Sequence, residues 1–498
     1  MLTGSVFTIL IFWYQEFIFP KTFPLLTSLL ALGLNTTYKN FYAHINTRNI
    51  LSLRKCPIAI YGFGEIGSIV LDNIKKDSTS DWKPVLIFDD SLKYSVRKID
   101  GIKFRNSNLR KALIYSKPQI LVICFSKIKS EKLEEIKSIC DNLGVEIRLI
   151  PTINLITGRE IDVKNSRPPT FEELIGKTPL KIDSRGIFEL LDNKVILITG
   201  AGGSIGSELA RQVFNFNPKK LYLLDRDESA LLKTKLSLLK FGTLGEDSLI
   251  LADIRDQSTI NEIFALVKPE IVYHAAALKH VSMLEKFPNE ALKTNVVGTL
   301  NLLKSSINSG VEVFVNISTD KAADPISVLG KSKLYTERAT YSFALKNKKR
   351  FMSVRFGNVF GSRGSFIEIF QRQIEYGLPL TISHPEVSRF FMTLEEAVYL
   401  VLQASSQGNS GETLILNMGK LIKIKDIAEK FIKISGKNIP ITYKGLDQGE
   451  KLHEQLIGEN EELLNSELDL IRRVQGLPIA VDLIFSDWVE FLNYWEKV

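Results

Sequence analysis

The chain has 498 residues, with 64 Lys+Arg against 56 Asp+Glu, three Cys and a hydrophobic fraction of 45%. That provides for two to four domains with real apolar cores and excludes both a disordered chain and a disulfide scaffold. The net charge of +8 would need clustering to mark a nucleic-acid partner, but the densest basic run, residues 346–350, ends an apolar helical pattern and reads as a solvated helix end. No nucleic-acid partner is expected.

Two apolar stretches open the chain, Leu2–Tyr14 and Thr22–Leu34, separated by Gln15, Glu16, Pro20 and Lys21. Each is shorter than the roughly 20 residues of a straight membrane helix. No basic residue precedes Lys21 and no small-residue cleavage pattern follows, which disfavours a secretory signal. Residues 1–50 are therefore expected to form a membrane hairpin or interfacial anchor, with a buried helix pair as the alternative. Lys39, Arg48, Arg54 and Lys55 follow the second apolar stretch, so the positive-inside bias leaves the remaining domains on the cytoplasmic face of the membrane. Cys56, Cys124 and Cys140 show no metal or disulfide spacing, and no metal site is expected.

From Pro57 onward short apolar strands alternate with helical stretches, twice over. The first series comprises residues 59–68, 85–90, 120–126 and 145–151, and the second 195–199, 221–225, 249–253, 271–275 and 313–318. This pattern predicts an α/β chain with two tandem Rossmann-like, doubly wound parallel sheets. The expected boundaries are an accessory domain at 51–165, a linker at 166–190 containing Arg167-Pro168-Pro169, and a larger domain at 191–498 whose C-terminal lobe starts near residue 360.

Each series begins with a glycine loop. In the first, Gly62, Gly64 and Gly67 precede a helical stretch and Asp89 follows at ribose-binding spacing, but tight strand-to-helix packing explains those glycines equally well. In the second, Thr199, Gly200, Gly203, Ser204, Ile205 and Gly206 join an apolar strand to the pattern SELARQVF, and Asp225 ends the next strand. That context predicts a dinucleotide site, with the pyrophosphate at the helix N-terminus and Asp225 on ribose hydroxyls, favouring NAD over NADP. Asp253, ending the third strand, is expected near the adenine.

The stretches TGAGGSIGSELARQ, ADIRD, HAAALKHVSMLE, TNVVGT, STDKAADPISVLGKSK, RFGNVFGSRGSF and SRFFMTLEEAV resemble the nucleotide-sugar 4,6-dehydratases of polysaccharide biosynthesis, extended short-chain dehydrogenases, and more narrowly their long membrane-bound form. The resemblance implies conversion of UDP-N-acetylglucosamine to a UDP-4-keto-6-deoxy sugar for surface glycans. NAD would take the C4 hydride, a base the C5 proton, water would leave from C6, and the hydride would return there. It assigns Thr319 to the substrate hydroxyl, Asp320 to the C6 acid, Lys321 to the C5 base and Lys333 to the nicotinamide ribose. Ala275, Ala276, Asn295 and Lys279 fall with the cofactor; Lys279 also falls with the substrate, as do Asn358, Ser365 and Arg389, the last expected on the UDP diphosphate. A homo-oligomer is implied as well.

A lysine with an ordinary value near 10.4 is a poor base at neutral pH, so Lys321 is expected to be held lower by the nicotinamide cation and Lys333. Two residues depart from the family pattern. Leu329 replaces the tyrosine of the dehydrogenase YxxxK signature, where the long dehydratases carry methionine, and Asp447 stands where an arginine is usual. Arg355 reads either as a ligand or as a buried structural arginine, and His274 and His280 as scaffold. An epimerase, or a non-catalytic NAD-binding membrane scaffold, are the alternatives.

Overall fold

The computed structural model describes residues 55–77, 80–91, 97–125, 130–150, 166–167, 184–239, 242–464, 470–481 and 485–497. Both N-terminal apolar segments lie outside these residues, and with them the expected membrane anchor. Among the described residues no helix is long and apolar enough to cross a membrane. The chain divides into two units, residues 1–170 and 171–498.

In the first unit, strands β1 (Cys56–Tyr61), β2 (Trp82–Phe88), β3 (Lys98–Ile99), β4 (Ile102–Arg105), β5 (Ile120–Ile123) and β6 (Glu146–Leu149) form one sheet ordered β3-β4-β2-β1-β5-β6. All pairs are parallel except β3 with β4. The central strands are buried on both faces, which explains their unbroken apolar runs.

The second unit is built on a nine-stranded sheet. Its parallel part runs β9 (Leu249–Leu251), β8 (Lys220–Asp225), β7 (Val195–Thr199), β10 (Ile271–His274), β11 (Val313–Thr319) and β12 (Arg350–Phe356), continues into the parallel strand Glu412–Leu416, and is closed by the antiparallel strands Ile471–Gln475 and Leu463–Leu464. Strand order reverses between β7 and β10, and in such sheets ligands sit in the crevice outside the strand ends at that point. Alternation along the strands feeds two cores: Ile196, Ile198, Val313 and Val315 face one, Leu197 and Phe314 the other.

Two boundaries differ from expectation. Residues 185–190, read as linker, belong to the helix Arg185–Leu191, whose Ile187 and Leu191 are fully buried in the core of the second unit. Residues after 360 do not form one separate lobe, because the helix Leu394–Gln407 and the strand Glu412–Leu416 return to the main sheet. Between these excursions a smaller core gathers around Phe360, Phe370, Phe391 and Phe431. Arg350, read as part of a helix end, begins β12 and donates to the carbonyls of Ser405 and Gly408.

Candidate active site

The glycine loop between β7 and the helix Ser204–Phe214 lies at the strand-order reversal. Gly200 has φ +68°, and a Cβ there would stand 2.5 Å from the Ala276 nitrogen; a Cβ on Gly206 would stand 2.1 Å from the Gly200 oxygen. Only glycine permits this close packing of loop, helix and neighbouring strand end. Gly203 caps the helix without any side-chain hydrogen bond, so its first N–H groups remain available to an anion. Asp225, expected on ribose hydroxyls, accepts from Gly202 N at 2.8 Å and Asp227 N at 3.0 Å, and so also shapes the glycine loop. Asp253 is gripped by Arg255, with Nη2 at 2.6 Å, and this holds its carboxyl below the usual range despite the opposing effect of burial. The donor and acceptor set fits a dinucleotide.

Two residues expected to touch the cofactor lie behind the site. Thr199 is fully buried, its hydroxyl 2.8 Å from His274 Nδ1, and His274 Nε2 lies 2.8 Å from the Thr299 hydroxyl. Because Thr299 donates to the Asn295 carbonyl, the imidazole proton belongs on Nε2 and Thr199 donates to Nδ1. Burial pushes His274 down to about 3, so it is neutral scaffold as expected. Asn295 is also fully buried; it accepts from Leu278 N and donates to Leu278 O and to Ser332 Oγ. It ties the loop after β10 to the helix Val328–Asn347 and offers nothing to a ligand.

That helix carries Lys333, which is 6% exposed and donates to the Ile317 carbonyl at 2.8 Å; burial pushes it down to about 8. Leu329, at the tyrosine position, is 3% exposed and belongs to an apolar core. Nothing at this position can exchange a proton.

Thr319, Asp320 and Lys321 follow β11. Asp320 is fully buried, and its Oδ1 receives the Thr319 hydroxyl at 3.0 Å and Lys321 Nζ at 3.0 Å. Thr319 is partly exposed, whereas the carboxylate it donates to is sealed. Lys321 Nζ also lies 3.2 Å from Glu454 Oε1 and 3.4 Å from Asn358 Oδ1. Burial works to lower this ammonium, but Asp320 and Glu454 outweigh it and hold it above its ordinary value. The direction is opposite to the expected depression, because the two carboxylates outweigh both burial and Arg389.

The substrate residues divide. Asn358 sits beside Lys321, and Ser365 Oγ is buried without a partner among the described residues, which leaves it for a ligand. Lys279 is exposed and donates to the Arg363 carbonyl, while Arg363 N donates to Ser204 Oγ, so the loop bearing Arg363 meets the glycine loop. Arg389, expected on the diphosphate, is corrected: its side chain is 7% exposed, pairs with Glu450 at 2.7 Å, and donates to the carbonyls of Ser388 and Leu452. Arg355 is structural, fully buried and chelated by Glu337 and Glu461. Asp447 is neutralised by Lys444 at 2.6 Å.

The first glycine loop lacks this openness. Asp89 is 2% exposed and occupied by Phe63 N and Ser91, Glu65 puts a carboxylate in the first helical turn, and the Phe125 ring lies 3.0 Å from where a Gly62 Cβ would stand. Gly62 and Gly67 serve close packing here, whereas a Cβ on Gly64 would meet nothing within 4 Å.

Residues 196–476 match the family described as "Polysaccharide biosynthesis protein". The chain belongs to this family. Among its relatives, "Capsular polysaccharide biosynthesis protein CapD" of Staphylococcus aureus is 37% identical over 449 residues, covering 88% of this chain and 75% of that protein. "Probable polysaccharide biosynthesis protein EpsC" of Bacillus subtilis is 35% identical over 81% of this chain and 68% of its own length. A "UDP-glucose 4-epimerase" of Rickettsia rickettsii is 34% identical over 54% of this chain and 79% of its own. Among solved structures, "Pen from Bacillus thuringiensis" superposes with a TM-score of 0.54 at 32% identity, over 57% of this chain and 88% of that one.

Glu454 and Glu450 were missed from sequence. Both follow Asp447 within seven residues, in a segment singled out only for that aspartate.

Proposed function

We propose that the chain is an NAD-dependent UDP-N-acetylglucosamine 4,6-dehydratase that supplies a UDP-4-keto-6-deoxy sugar for surface glycan assembly. The observation that carries this reading is the linked group Thr319, Asp320 and Lys321 at the end of β11, a hydroxyl wired to a buried carboxylate beside an amine, with leucine at the tyrosine position. NAD, when bound, supplies hydride acceptance at C4 and hydride donation at C6. Thr319 relays the C4 hydroxyl proton to Asp320, and the same path returns it to the C6 hydroxyl as that leaves as water. Lys321, once neutral, takes the C5 proton and gives it back to C5. The glycine loop and Asp225 hold the cofactor, Lys333 its ribose, and Asn358 and Ser365 orient the sugar nucleotide. Attachment to the cytoplasmic face of the membrane through residues 1–50 and a homo-oligomeric state belong to the same proposal.

A second reading has one specific support. The similarity to proteins named UDP-glucose 4-epimerase favours C4 epimerisation, which needs hydride chemistry at C4 alone and no C5 base. Incubation of the purified protein with UDP-N-acetylglucosamine and NAD, followed by NMR of the sugar ring, separates them. A 4-keto-6-deoxy product is expected; a C4 epimer would support the second reading, and unchanged sugar would refute both in favour of a binding role.

A further inference from the structure

The segment after Asp447 turns its carboxylates toward the end of β11. Glu454, 3% exposed, reaches Lys321 Nζ at 3.2 Å and Arg389 Nε at 3.7 Å with the same oxygen, Oε1. Its other oxygen, Oε2, is buried with no hydrogen-bond partner among the described residues. The side chain is therefore held by two cations and not by a hydrogen-bond network of its own. Nζ donates to Asp320 Oδ1 at 3.0 Å and to Asn358 Oδ1 at 3.4 Å, and Glu454 Oε1 forms an ion pair with it at 3.2 Å. Two carboxylates within 3.2 Å of the nitrogen favour the charged form. The charged groups facing Lys321 are Asp320 on its own turn, Glu454, and Arg389, whose charge is countered by Glu450.

We propose that Glu454 is a positioning residue for Lys321, fixing both where the amine sits and the pH at which it becomes a base. Asp320 is the immediate chain neighbour, whereas Glu454 comes from 133 positions further along the sequence. Glu454 is thus the contact that depends on the fold. A desolvated carboxylate at this distance raises an amine by more than about one pH unit. For its kinetic consequence this inference rests on the dehydratase reading; for the ionisation of Lys321 it does not.

The test uses the full chain as wild type, Glu454→Gln and Glu454→Asp. Competitive acetylation of amines across a pH series, read by mass spectrometry, gives the titration midpoint of Lys321, with exposed Lys268 as internal reference. In Glu454→Gln the midpoint is expected to fall by about one pH unit or more, and in Glu454→Asp, which keeps the charge, to lie closer to wild type. A Lys321 midpoint that does not move in Glu454→Gln would overturn the proposal. In the turnover arm, the limb along which kcat rises with pH is expected to move to lower pH by the same interval in Glu454→Gln. An equal loss of rate at every pH would make Glu454 merely structural and also overturn it. If the wild type dehydrates nothing, the functional reading fails and the labelling arm alone decides.

Discussion

Lys333 is the residue at which binding and stability are set against each other most directly. Burial lowers its ammonium from an ordinary 10.5 to about 8, and that difference makes the charged side chain cost the fold about 3 kcal/mol at neutral pH. Lys333→Met keeps the length and removes the charge, but also removes the hydrogen bond to the Ile317 carbonyl, which gives back about 1–2 kcal/mol. The variant is therefore expected to be about 1–2 kcal/mol more stable than wild type at pH 7, while binding NAD more weakly. The sign follows from linkage: between pH 8 and 10.5 the unfolded chain binds more protons at this site, so the wild type gains stability as pH rises through that window. The advantage of the variant should shrink above pH 8 and be gone by about pH 10, leaving only the lost hydrogen bond. Urea unfolding followed by circular dichroism at pH 7 and pH 9.5, with NAD titration by calorimetry, makes the measurement. A variant less stable than wild type at pH 7, or a difference independent of pH, would refute the reasoning.

Asp320→Asn should abolish turnover while NAD still binds, because the Thr319 relay loses its acceptor; NMR of the sugar product together with cofactor titration checks both halves. Leu329→Ala should lower stability by about 3 kcal/mol through the cavity it opens, yet keep the pH dependence of turnover, since an apolar side chain carries no proton; denaturant midpoints and a pH–rate profile report the two effects. Gly206→Ala should abolish NAD binding or prevent folding, because its methyl group would lie 2.1 Å from the Gly200 carbonyl oxygen; calorimetry on any soluble variant is the measurement.

The parts legible before folding were those whose cause is local. The strand β7, the glycine loop and Asp225 fall within 31 residues, and each is dictated by a short-range need: apolar faces for a doubly covered strand, absent Cβ atoms for a tight turn, a carboxylate at the next strand end. Thr199 and Asn295 misled because a motif records that a residue is needed there, not which way it faces. The one supports a buried imidazole and the other a loop.

Charge was the quantity that sequence could not supply. Arg389 reads as a free cation until Glu450 and Glu454 are found beside it, and Lys321 reads as a base in waiting until its neighbours prove to be carboxylates. By itself the amino-acid order determined the α/β class, the position of the dinucleotide loop and the chemical types gathered after β11. Only the tertiary structure decided which of those groups are sealed, paired or open to a ligand. The reason is physical: backbone geometry is set by near neighbours along the chain, whereas the charge state and reach of a side chain are set by whatever distant segments bring within a few ångströms of it.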